Sequence, residues 1–113
     1  MDLEVTDLDG DVRKIVLSGR LDTQGADEVE ARFTASIVPA QKSTIVDLQD
    51  VDFIASMGIR MFIAVARSLA TEQVPIALFG AQELVAEVFD NVSLNDLMPV
   101  CTSESEALAA VAA

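Results

Sequence analysis

Histidine is absent from the 113 residues. With it go the Ser-His-Asp and Cys-His nucleophile arrangements, histidine-rich zinc sites and any histidine phosphorelay step within the chain. The single cysteine, Cys101, excludes an internal disulfide and a cysteine-cluster metal site, and a small buried hydrophobe is expected there. Basic residues are scarce: 7 Lys and Arg against 19 Asp and Glu leave a formal charge of −12. Such a surface repels nucleic-acid phosphates and anionic headgroups, so direct nucleic-acid binding is not expected. The ordinary use of an acidic coat is solubility, and its specific use is to meet a protein partner with a basic surface. Long apolar runs are also missing. Runs such as residues 61–66 fall far short of the roughly 20 residues a membrane helix needs, so no membrane insertion is expected. The opening MDLEVTDLDG is acidic and unlike a secretory signal, which makes a cytoplasmic protein the expectation. With no linker, repeat or low-complexity tract, residues 1–113 are expected to form one domain.

What is present is a folding pattern. Hydrophobic residues make up 51% of the chain, too many for a disordered protein. Leu3 and Val5 alternate with polar neighbours, Asp9-Gly10 reads as a turn, and residues 12–18 follow as a second strand, ended by Gly19. Asp22 or Thr23 then caps a helix to about residue 38, with Ala26, Val29, Phe33 and Ile37 as its buried stripe and Pro39 at its stop. Ile45, Val46, Leu48 and Val51 are packed too densely for a strand with one wet face and predict one buried on both sides. A turn carrying Asp52 and Ser56 leads into the next helix. After Pro75, residues 76–80 predict a parallel strand beside the central one, and residues 82–89 a short helix facing inward through Leu84, Val85, Val88 and Phe89. Leu94, Leu97 and Met98 read as a lid over the core, residues 99–102 as a short edge strand, and Ser103 with Glu106 as a capping box opening a last helix. The fold class is therefore α/β: a mixed four- to five-stranded sheet, an N-terminal antiparallel hairpin plus parallel βαβ strands, covered by about four helices.

The helix opening near Ser56 divides on a wheel into two faces. Ile59, Phe62, Val65, Ala66, Leu69 and Ala70 face the core; Ser56, Arg60, Ala64, Arg67 and Thr71 lie opposite, with Met57 and Met61 on the border. Methionine adapts to varied surfaces, so Met57 and Met61 suit either a contact surface or the margin of a core. Gly58 permits close approach of another chain. From the residues alone Ser56 reads as a helix cap and Asp22 as another, with Asp22 also placed to face a ligand or partner from a loop. Ser56 as a catalytic nucleophile is disfavoured, because no histidine, nearby lysine or Gly-x-Ser-x-Gly turn accompanies it.

Three stretches in register, Gly19-Arg20-Leu21-Asp22, Ile45-Val46-Asp47-Leu48 and Phe53-Ile54-Ala55-Ser56-Met57-Gly58-Ile59, resemble the STAS domain family, particularly its anti-sigma factor antagonists. The resemblance spans nearly the whole chain. It implies a non-catalytic switch, free of cofactors, that binds an anti-sigma factor which is also a serine kinase and so frees a sigma factor. It further implies phosphorylation of Ser56, reversed by a serine phosphatase, and matches Asp22 and Gly58 to family positions; with Asp52, Met57, Arg60 and Met61 these are the residues expected on the partner surface. The sequence departs from the family pattern at Ala55 and Met57, which replace the polar neighbours of the serine, and at Arg60, which replaces a glycine. The alternative implied by related domains is a constitutive scaffold or transporter-complex subunit not controlled by phosphorylation.

Overall fold

The computed structural model describes residues 1–112. The elements run β1 (Asp2–Leu8), β2 (Val12–Leu21), α1 (Thr23–Ile37), β3 (Ser43–Ile54), α2 (Ser56–Thr71), β4 (Ile76–Phe79), α3 (Glu83–Asn91), a single helical turn (Leu94–Asp96), β5 (Val100–Cys101) and α4 (Glu104–Val111). The sheet has the order β1-β2-β3-β4-β5. Among the described residues, only the β1–β2 pairing is antiparallel.

That order dictates the layers. Each parallel step moves one strand in the same direction through one helix, and right-handed crossovers then place α1, α2 and α3 on one face of the sheet. Their apolar stripes meet Ile15, Leu17, Val46, Leu48 and Leu78 in the larger core. At its centre Phe62 of α2 stands edge-on to Phe33 of α1 and to Phe89 of α3, with ring centroids 5.5 and 6.0 Å away. The opposite face is covered by α4, whose Ala107 and Val111 pack on Ile45, Ala77 and Phe79. Lys14 of β2 ties that helix down, its Nζ 2.6 Å from Glu104 and 3.9 Å from the nearly buried Asp47.

The expected architecture is present, with corrections that share a cause. β2 does not stop at Gly19. The glycine takes φ +116° and absorbs a register shift, and the strand continues to Leu21. Because β2 reaches that far, Arg20 pairs with Phe53 and Leu21 with Ile54, so Asp52 lies inside β3 and not in a turn. The link from β3 to α2 is Ala55 alone.

The buried arc of α2 is also rotated from the expected one. Gly58, Met61, Phe62, Val65, Ala66 and Leu69 are buried, Ile59 is half-buried and Ala70 is exposed. A side chain at position 58 would place its Cβ 2.7 Å from Leu21 Cγ, so this glycine lets the first turn of α2 settle directly on the end of β2. The close approach draws Met61, only 3% exposed, into the core.

Elsewhere Leu84 is 71% exposed although expected inside, and Leu97 is exposed while Leu94 and Met98 are covered. Cys101 is a half-buried free thiol, with its pKa pushed up by burial and then by the charge of Glu106. Ser103 caps α4, its hydroxyl accepting from the Glu106 N–H at 3.2 Å. The Glu106 carboxylate in turn accepts from the Thr102 N–H at 3.0 Å.

Candidate functional site

The end of β2, the end of β3 and the first turn of α2 converge at one corner of the molecule. Their junction is held by the Ala55 N–H, which donates to the Leu21 carbonyl at 2.9 Å. Asp22 follows Leu21 as the N-cap of α1, its Oδ1 accepting from the Gly25 N–H at 2.8 Å. That bond, and secondarily Arg20 at 3.5 Å, holds the Asp22 carboxyl below its ordinary range. The capping expectation for Asp22 holds, and the residue stays partly exposed beside the corner.

Ser56 is not the cap of α2. Ala55 occupies the N-cap and supplies no side-chain hydrogen bond, so Ser56 is the first helical residue, and it is exposed. The first-turn N–H groups of α2 are thus left without a side-chain acceptor at the cap. Arg60 lies one turn on, where side chains of residues four apart meet. It is exposed, with Nη1 against the Met57 sulfur at 3.9 Å.

Of the residues expected on the partner surface, the structure brings Asp22, Ser56, Met57 and Arg60 to this corner, with Asp52 exposed near the end of β3. Gly58 and Met61 are corrected: both are buried, Gly58 against Leu21 and Met61 within the core, so they shape the surface from below. Two residues were missed. The Arg20 guanidinium stacks on the Phe53 ring, 4.2 Å from its centroid, and Phe53 is 38% exposed. Neither is prominent in the sequence, since the pair exists only once the β2–β3 register is known. The corner offers one hydroxyl, two arginines, two carboxylates and an apolar rim. No group of three or more metal-ligating side chains occurs among the described residues, and no helix among them is long and apolar enough to cross a membrane.

This fold and this corner define a class. The model of the STAS domain matches residues 4–107, and the chain belongs to that family. Among its relatives is BtrV of Bordetella bronchiseptica, a protein named for anti-sigma factor antagonism, 30% identical over 94 residues that cover 83% of this chain and 81% of BtrV. An anti-sigma-factor antagonist (STAS) domain protein from Planctomyces limnophilus superimposes with a TM-score of 0.88 over all of both chains at 23% identity. The Bacillus cell fate determinant SpoIIAA in its phosphorylated form gives a TM-score of 0.68 at 19% identity, covering 98% of this chain and all of the other. These two structures share its fold.

Proposed function

We propose that this protein is a cytoplasmic, non-catalytic anti-sigma factor antagonist, which binds an anti-sigma factor with serine kinase activity and is switched off by phosphorylation of Ser56. The observation that carries the proposal is the placement of Ser56: an exposed hydroxyl on the first residue of α2, next to Met57, with Arg60 one turn on and the adjoining Ala55 bonded to Leu21, the residue before Asp22. The similarity to BtrV supports the antagonist role.

The physics of the switch is local. A phosphate adds about −1.5 to −2 charges at neutral pH. At the start of α2 it meets uncapped N–H groups and the helix dipole, which favour an anion by roughly 0.3–1 kcal/mol, so the modified domain stays folded. The docking partner meets the opposite situation. Its surface has to desolvate a dianion beside Met57, at a cost that a site built for a neutral hydroxyl does not recover. A serine phosphatase restores the binding form.

Incubation with the kinase and ATP, followed by intact mass measurement with Ser56→Ala as control, tests the modification. One phosphate on the wild type and none on the variant is expected. Ser56→Asp should weaken calorimetric binding to the anti-sigma factor by at least about tenfold, or 1.4 kcal/mol, with an unchanged melting temperature. Undiminished affinity would overturn the switch. The apolar flanks Ala55 and Met57 favour one competing reading, a constitutive scaffold or transporter-complex subunit. Its mark would be a stable complex in size exclusion that Ser56→Asp leaves intact.

A further inference from the structure

Between the end of β3 and helix α3 runs a cleft of about 320 Å³ lined by Asp52, Phe53, Ile54, Leu84, Val88 and Asn91, among others. Its volume is near the lower end of the roughly 300–1,000 Å³ of small-molecule pockets and suits a side chain or two. Two of its walls are costly to leave in water: Phe53 is 38% exposed and Leu84 71%. A leucine this exposed on a helix that buries Val85 and Phe89 one face away gains nothing for the fold, and beside Phe53 it forms an apolar lip on one cleft.

The electrostatics select the occupant. Helix α3 carries Glu83, Glu87 and Asp90 with no basic residue, Asp52 faces it from β3, and no Lys or Arg occurs anywhere in residues 68–113. Arg20, on the far side of Phe53, is already set against that ring and Asp22. An apolar groove with a carboxylate rim complements an amphipathic helix whose polar face is cationic, which seats apolar side chains at helical spacing and sets Lys or Arg against the rim.

We infer that the β3–α3 cleft is the docking groove for a basic amphipathic helix of the partner protein, with an apolar side chain held between Phe53 and Leu84 and a cation held by Asp52 and Glu87. This deepens the function proposed above and rests on it for the partner being a protein.

The test uses the full chain, isotopically labelled, and two synthetic helical peptides with leucines at i, i+3, i+4 and i+7, one with lysine and one with glutamate elsewhere. At about 0.15 M ionic strength, where long-range attraction is screened, the Leu/Lys peptide should shift amide resonances of residues 52–54 and 83–91 saturably. The Leu/Glu peptide should shift none. Leu84→Ser and Glu87→Lys, both at exposed positions, should each weaken the Leu/Lys peptide by about tenfold. Shifts scattered over other acidic faces, equal binding of the Leu/Glu peptide, or wild-type affinity in Leu84→Ser would overturn the proposal. Because no anti-sigma factor enters this titration, its failure is distinguishable from failure of the antagonist function, which shows instead as an anti-sigma factor that does not bind.

Discussion

At Asp22 one carboxylate caps α1 and also borders the candidate site, and the two roles separate by substitution. The Gly25 N–H, with Arg20, favours the ionised form, so the folded pKa lies below the unfolded one. The stabilisation is fully present above the unfolded carboxylate range and is lost as pH falls through the depressed folded value. Asparagine caps helices about as well as aspartate but does not titrate. Asp22→Asn should therefore melt close to wild type at neutral pH and lose less on acidification, so that a gap opens, the variant melting higher, as pH falls through the depressed Asp22 range. Asp7 and Glu106, also held below their ordinary range by Arg13 and Thr102, titrate in both proteins and cancel in the comparison. Parallel curves of melting temperature against pH would show that the cap gains nothing from its charge.

At the scale of elements, α2 organises the molecule because Phe62 joins α1 and α3 through two edge-on ring contacts. Phe62→Ala removes both contacts and leaves a cavity where three helices meet, for an expected loss of about 3–5 kcal/mol. That is a large fraction of the 5–15 kcal/mol typical of a domain, and urea denaturation measures it. A loss under about 1 kcal/mol would mean that the three helices repack. The same element shows what periodicity reveals and what it does not. Phe62, Val65, Ala66 and Leu69 were legible as core because 3.6-residue spacing is a local property. Met61 was not, since the rotation of α2 is fixed by Gly58 seating on Leu21, a contact 37 residues away in sequence. Asp52 was misplaced in a turn for a similar reason: β3 extends to Ile54 only because Gly19 lets β2 run on beside it. The Arg20–Phe53 stack follows from that register. The position of Ser56 at the start of α2 was legible, and its detail was not, because Ala55 has no side chain to announce itself as a cap.

Over the whole molecule, a formal charge of −12 is confined within extents of 31 × 25 × 23 Å. At about 0.01 M salt the Debye length is roughly 30 Å, so every carboxylate feels every other; at 0.15 M it is about 8 Å, and only near neighbours interact. Salt therefore acts on two opposed terms. It weakens the ion pairs of Arg13 with Asp7, Lys14 with Glu104 and Lys42 with Asp7 and Asp11. Pairs as exposed as these contribute about 0–1 kcal/mol each. It also relieves the self-repulsion of an acidic excess that no internal cation balances. With 19 acidic and 7 basic residues the second term is the larger. The melting temperature should rise between about 0.01 and 0.15 M sodium chloride, whereas association with a basic partner should slow over the same range as steering is screened. A melting temperature that fell with salt would mean that the ion-pair ring around Asp7 and the Lys14 anchor of α4 outweigh the net charge. An association rate indifferent to salt would mean that the acidic coat serves solubility alone.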